Sequence, residues 1–192
     1  MARFIAELDR ISIIISVAAL VILLYFGISN PEYFRAYWVA YAFWLTGFFG
    51  SITLGLTRRS KTLSLQSFIS TAVITGLIIT SFYLVNYGFA ALAPQDIIGS
   101  DKLIHFANGV AEELFFGIFL LGLLINWIGF PPLFAVIVSA GVHALYHVPN
   151  WGYNPTIMLF FVCFTIARVI YLLYPKAGIL LGAHGLWNLV VG

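Results

Sequence analysis

The stretch LIHFANGVAEELFFGIFLLGLLINW, residues 103–127, decides the fold of this protein. It is long enough to cross the hydrocarbon core of a bilayer, which takes about 20 apolar residues as an α-helix. It also carries two adjacent acids, Glu112 and Glu113, near its middle. An ionisable side chain inside a bilayer is costly, so these acids are candidate functional groups. The segment therefore predicts a membrane helix that contains candidate functional residues.

The composition of the whole chain agrees with a membrane protein. Hydrophobic residues make up 62% and charged residues 8% of its 192 residues, whereas a soluble domain carries about 25% charged residues. The mean hydropathy is +1.03. This balance excludes a disordered chain and a nucleic-acid-binding protein. A secreted disulfide scaffold is excluded as well, because Cys163 is the sole cysteine.

Apolar segments follow one another along the chain without the alternation that marks the strands of a barrel. Seven of them run over residues 11–29, 37–56, 66–90, 103–127, 130–149, 155–174 and 177–191. The sequence therefore predicts an all-α, polytopic membrane protein with about seven transmembrane helices. We expect a single membrane domain over residues 1–192.

The distribution of lysine and arginine predicts the orientation in the membrane. Arg58, Arg59 and Lys61 cluster between the second and third segments, and such clusters favour the cytoplasmic side. Alternation of the spans then places the N-terminus in the cytoplasm of a multi-pass protein of the cell membrane. The same alternation puts His147 near the outer end of its span and His184 nearer the inner half, which leaves the depth of a shared site open.

Acids and histidines inside the apolar segments all follow residue 100. We therefore predict three lipid-facing N-terminal helices over residues 11–90 and a functional core over residues 100–192. The candidate functional residues of this core are Glu112, Glu113, His143, His147, Arg168, His184 and Asn188.

Helical spacing groups these candidates by face. Asp101, His105, Asn108 and Glu112 recur at intervals of three or four and share one face, which can lead water to Glu112. Glu113 points about 100° away, so the two acids are expected to have different roles. A single membrane histidine often serves as a hydrogen-bonding group between helices, and this interpretation suits His105. Two acids, three histidines and an amide on three segments are more than scaffolding needs.

Three motifs in this half of the chain resemble those of a known family. Glu112 and Glu113 begin the first motif, His147 ends the second, and His184 and Asn188 form the third. Their order is similar to the patterns EExxxR, FxxxH and HxxxN of the CAAX protease and bacteriocin-processing (CPBP) family. That family contains the intramembrane glutamate proteases related to CAAX prenyl endopeptidase. The resemblance covers about residues 100–192.

Two positions depart from the family pattern. Gly117 replaces the arginine of the first motif, and His143 replaces the phenylalanine of the second. Arg168, on the sixth segment, is a candidate to supply the missing cation. His143 and Arg168 are also candidates for substrate binding.

The resemblance implies an endopeptidase that hydrolyses a peptide bond of a membrane-associated peptide or protein without a cofactor. In this scheme Glu112 is the general base that activates water, and His147 is its partner. His184 and Asn188 stabilise the oxyanion, and Glu113 orients these groups or shares a proton with them. A carboxylate in an apolar site suits the role of a base near neutral pH.

Two other functions fit the same residues. A metal-dependent membrane hydrolase could use His143, His147 and His184, together with Glu112, as ligands for zinc. A non-catalytic immunity or transport protein could keep the family fold, because buried acids and histidines also serve proton relays.

Overall fold

The computed structural model of the protein describes residues 8–59, 102–148, 152 and 155–191. Within these ranges the chain forms helices and no strand. The helices are α1 (Arg10–Ser29), α2 (Pro31–Arg59), α3 (Lys102–Ile128), α4 (Pro132–Tyr146), α5 (Pro155–Leu173) and α6 (Ala177–Val191). The all-α prediction is confirmed. The predicted third segment, residues 66–90, lies outside the described residues.

The helices differ in their fitness to cross a membrane. Among the described residues, α1, α3 and α5 are long and apolar enough to do so, and α4 is a shorter apolar helix. Helix α2 begins at Pro31, a residue that suits the first turn of a helix because it has no N–H to leave unpaired. Its backbone departs from helical geometry at Tyr37 (φ −108°, ψ 17°), where the predicted second segment begins.

Helix α3 is the central element of the bundle. It packs against α1, α2 and α6, and most of its length is buried, whereas most residues of α1 and α5 are not buried. Helix α4 contacts α5 along its length and reaches the middle of α3. The two acids of α3 are thereby enclosed by helices that follow it in sequence.

The winding of α3 changes directly after the two acids. The helix is α-helical over Lys102–Glu113, forms a π-helix over Leu114–Leu120, returns to α over Leu121–Leu123, and is again a π-helix over Leu124–Ile128. A π-helix bonds residue i to i+5, and such turns are rare and frequent at functional sites. The acids therefore stand at the junction between two helical geometries.

Helices α1 and α2 are joined to each other by polar contacts and to α3 by close packing. The indole Nε1 of Trp44 donates to the Ser16 carbonyl over 2.7 Å, and the Tyr41 hydroxyl donates to the Leu23 carbonyl. Gly47 faces the backbone of α3, where a Cβ atom would lie 2.6 Å from the carbonyl carbon of Leu114. Only glycine allows α2 to approach α3 this closely.

Candidate active site

The two acids of α3 are buried and face different partners. Glu112 is 2% exposed and Glu113 is 1% exposed. Asn108, one turn before Glu112, donates from Nδ2 to Glu112 Oε1 over 2.7 Å. The predicted polar face thus brings Asn108 to the acid, while Asp101 lies outside the described residues.

Three imidazoles converge on the second oxygen of Glu112. The Nε2 atom of His143 lies 3.3 Å from Glu112 Oε2, and the Nε2 atoms of His147 and His184 each lie 3.7 Å from it. At 3.7 Å an N–H···O hydrogen bond is no longer formed, so the two more distant rings flank the carboxylate without binding it directly. His147 and His184 thus lie beside the same oxygen atom of one buried carboxylate.

Glu113 binds a different set of groups. The Nδ1 atom of His184 lies 2.9 Å from Glu113 Oε2 and donates to it, because a carboxylate can only accept. His184 therefore bridges the two acids, with Nδ1 on Glu113 and Nε2 towards Glu112. The guanidinium of Arg168 forms an ion pair with Glu113, with 3.3 Å between Nη2 and Oε1, although the alignment of a hydrogen bond is not reached.

Arg168 is completely buried, and each of its nitrogens has a partner. Nε donates to Ser139 Oγ over 3.0 Å, Nη1 donates to the Phe164 carbonyl over 3.1 Å, and Nη2 lies 2.9 Å from His143 Nδ1. The Ser139 hydroxyl in turn donates to the Phe116 carbonyl in the π-helical part of α3. Since Arg168 and His143 are both fully buried, the substrate-binding role predicted for them stays a prediction.

The ring of His143 lies between two phenylalanines. Phe164 of α5 stacks on one side, with ring centroids 3.8 Å apart and planes 2° apart, and Phe116 stacks with centroids 4.4 Å apart. Neither phenylalanine was among the residues predicted from the sequence. Phe164 stands one helical turn before Arg168, and that spacing is the signal that could have drawn attention to it.

Asn188 lies at the margin of this cluster. Its Nδ2 atom donates to the carbonyl of His105 over 3.3 Å, and its amide packs against Gly109. Among the described residues, Asn188 forms no hydrogen bond with either acid. His105 contributes its backbone here, while its ring lies near Tyr37. The role of Asn188 in stabilising an oxyanion stays a prediction.

A metal ion beside Glu112 would need free lone pairs on the histidines that surround this acid. Within the described part of the chain, Glu112, His143 and His184 offer ligand atoms that all lie within 4.8 Å of one another. A neutral imidazole has one lone pair, and arginine has no acceptor, so Arg168 takes the lone pair of His143 at Nδ1. The Nε2 atom of His143 then carries a hydrogen and cannot be a ligand. Metal-bound histidines instead donate from their second nitrogen, so this set does not fit zinc as arranged.

Fold and site together define a helical membrane protein with carboxylates and imidazoles gathered in its interior. Residues 102–190 match the family model described as type II CAAX prenyl endopeptidase Rce1-like. The resemblance read from the three motifs is therefore confirmed over this part of the chain, and the family is one of membrane proteases. No curated protein and no solved structure matches the chain significantly.

Proposed function

We propose that this protein is an intramembrane endopeptidase in which Glu112 activates water for the hydrolysis of a peptide bond. One observation supports this proposal above all. The Nε2 atoms of three histidines surround a single oxygen, Glu112 Oε2, in the buried part of a membrane protein. The match of residues 102–190 to a protease family supports the same reaction class.

The chemistry begins with proton transfer from water to Glu112. The water oxygen forms a bond to the carbonyl carbon of the peptide, and the electron pair of the C=O bond moves to the oxygen. When the tetrahedral intermediate collapses, the C–N bond breaks and the amine leaves with the proton returned by Glu112. A positioned general base of this kind contributes about 10²–10⁴-fold to a rate. No cofactor takes part in this scheme.

The three histidines have different places in this mechanism. The side chain of His147 is 15% exposed and that of His143 is fully buried, so His147 faces the side from which water and substrate enter. His184 donates from Nδ1 to Glu113. To stabilise an oxyanion from Nε2 as well, its ring must carry a hydrogen on both nitrogens. Asn188 is the second donor for the oxyanion in this proposal.

The substrate in this proposal is a membrane-associated peptide or protein that reaches the site from the bilayer. The name of the matched family specifies prenylated CAAX peptides, so these are the first substrates to test. We place the protein in the cell membrane as a multi-pass protein with its N-terminus in the cytoplasm, as the lysines and arginines near residue 60 predict.

The experiment compares cleavage of two peptides by the purified protein in lipid nanodiscs. One peptide is farnesylated and ends in a CAAX sequence, the other has the same sequence without the lipid, and cleavage is followed by mass spectrometry. We expect the native chain to cleave, with the Glu112→Gln and His147→Ala variants reduced at least about 100-fold. Glu32→Gln is the matched control, because Glu32 is an exposed acid at the start of α2.

Each outcome of this experiment has a distinct meaning. Equal cleavage by the native chain and by Glu112→Gln would contradict the role of Glu112. A folded native chain that cleaves neither peptide would contradict the proposed reaction on these substrates and favour a non-catalytic immunity or transport protein.

A further inference from the structure

A cation from another helix lies beside the first motif, which has no arginine of its own. Gly117 stands where the family pattern has arginine, and a Cβ atom there would collide with the carboxylate of Glu113. The acid thus occupies the space beside Gly117. From α5, Arg168 approaches the same carboxylate, with Nη2 3.3 Å from Glu113 Oε1 and its side chain fully buried.

Arg168 also determines which nitrogen of His143 carries hydrogen. Its Nη2 atom lies 2.9 Å from His143 Nδ1, and guanidinium can only donate. Nδ1 must therefore accept, which leaves the hydrogen of the neutral ring on Nε2. That nitrogen lies 3.3 Å from Glu112 Oε2, so His143 donates to the proposed base.

The surroundings keep the two side chains in this arrangement. Phe164 and Phe116 cover the two faces of the His143 ring, so rotation of the ring requires both to move. Ser139 holds Arg168 Nε at 3.0 Å. The contacts form one chain of donors, from Arg168 through His143 to Glu112.

The geometry points to Arg168 as a positioning residue that replaces the motif arginine from a different helix. It holds the carboxylate of Glu113, and by donating to Nδ1 it makes His143 present its Nε2–H to Glu112. Its effect on the rate rests on the proposed function. The tautomer of His143 does not, and it can be measured whether or not the protein cleaves a peptide.

The first test is ¹⁵N NMR of the full chain labelled at histidine, in nanodiscs at neutral pH. The chain has four histidines, and His143 is assigned by the signal lost in His143→Phe or, should that variant not fold, by loss of the other three in turn. We expect the native His143 to be the Nε2–H tautomer. If the native chain shows the Nδ1–H tautomer instead, the inference is overturned, and no variant of Arg168 is needed to decide this.

The same spectra of an Arg168→Met variant test the cause of the tautomer. Without the guanidinium, no donor requires Nδ1 to accept. A small movement of the ring would then bring Nδ1, which lies 3.7 Å from Glu113 Oε2, within donating distance of that carboxylate, while Nε2 lies 3.3 Å from Glu112 Oε2. We expect the His143 signals to show a mixture. Arg10→Met is the matched control, because Arg10 is exposed at the start of α1. An unchanged His143 tautomer in folded Arg168→Met would overturn the inference.

The second test is the kinetics of Arg168 variants on the farnesylated peptide. For Arg168→Met we expect kcat to fall on the order of 100-fold, as for a small misplacement of reacting groups, with KM nearly unchanged. Arg168→Lys should restore part of kcat because it keeps a cation at this position. The restoration should be incomplete, because one ammonium cannot reach both Glu113 and His143. An unchanged kcat in Arg168→Met would overturn the positioning role. Absence of cleavage by the native chain would contradict the proposed function alone, and the NMR result would still decide the tautomer.

Discussion

His184 on α6 donates from Nδ1 to Oε2 of Glu113 on α3 over 2.9 Å, across 71 positions of the sequence. This bond joins the first and the third of the three motifs directly. Because the same ring turns Nε2 towards Glu112, the position of one histidine is set by two neighbouring acids. Residues that keep these acids in place should therefore affect activity without touching a substrate.

Gly117→Ala tests the space that Glu113 requires. The added methyl group would collide with the carboxylate of Glu113, so we expect the acid to move away from Arg168 and His184. A displacement of about 1 Å at a reacting group costs on the order of 100-fold in rate, to be measured as kcat/KM on the farnesylated peptide. Gly182→Ala is the control, since its methyl group would meet Ile15 at an ordinary 3.7 Å. Equal loss in both variants would contradict this account.

Gly47→Ala tests the close contact between α2 and the turn that follows the acids. A Cβ atom at Gly47 would lie 2.7 Å from the amide nitrogen of Phe115, and backbone cannot yield as a side chain can. Overpacking of this kind destabilises by about 1–3 kcal/mol, which thermal unfolding in detergent would detect. In Gly141→Ala the methyl group would lie 3.8 Å from Phe161, so a similar destabilisation there would argue against a specific contact.

Asn188→Ala separates a catalytic amide from one that only joins helices. If the free N–H of the amide stabilises the oxyanion, kcat should fall about 10²–10³-fold with little change in KM. If Asn188 serves only its bond to the His105 carbonyl, the melting temperature falls and kcat of the folded protein is retained. Asn126→Ala, at an exposed position near the end of α3, is the control for loss of an amide.

Removal of metal tests the hydrogen assigned to His143. Since Arg168 occupies the lone pair at Nδ1, we expect prolonged chelation to leave the cleavage rate within about twofold, with a zinc protease treated in parallel as the positive control. Elemental analysis of the purified protein should find no stoichiometric zinc. Activity that is lost on chelation and restored by zinc would contradict the tautomer.

The sequence was sufficient to predict the class of fold and most helix ends. The segments 11–29, 103–127, 155–174 and 177–191 each agree with a helix to within about one residue at either end, because length and apolarity alone define a span. Helix α2 begins earlier than predicted, at Pro31, because the charged residues Glu32 and Arg35 lower the hydropathy of its first turns. The π-helical turns carry no pattern in the sequence that would predict them.

The candidate site was predictable in its members and less so in their contacts. Glu112, Glu113, His147 and His184 were singled out because titratable groups are rare in a bilayer, and they meet in the structure. The spacing of residues within one helix cannot give the pairing between helices. The position of Arg168 beside His143 therefore became evident only from the structure.

The order of the helices has a consequence for the biogenesis of this protein. The ribosome makes α3 before α5 and α6, so Glu113 enters the bilayer ahead of the arginine and the histidine that bind it. Until those helices arrive, Glu113 lacks the arginine and the histidine that bind it, and a charged acid is costly to place in lipid. We therefore expect α3 to stay within the insertion machinery, or in contact with water, until α6 has been translated.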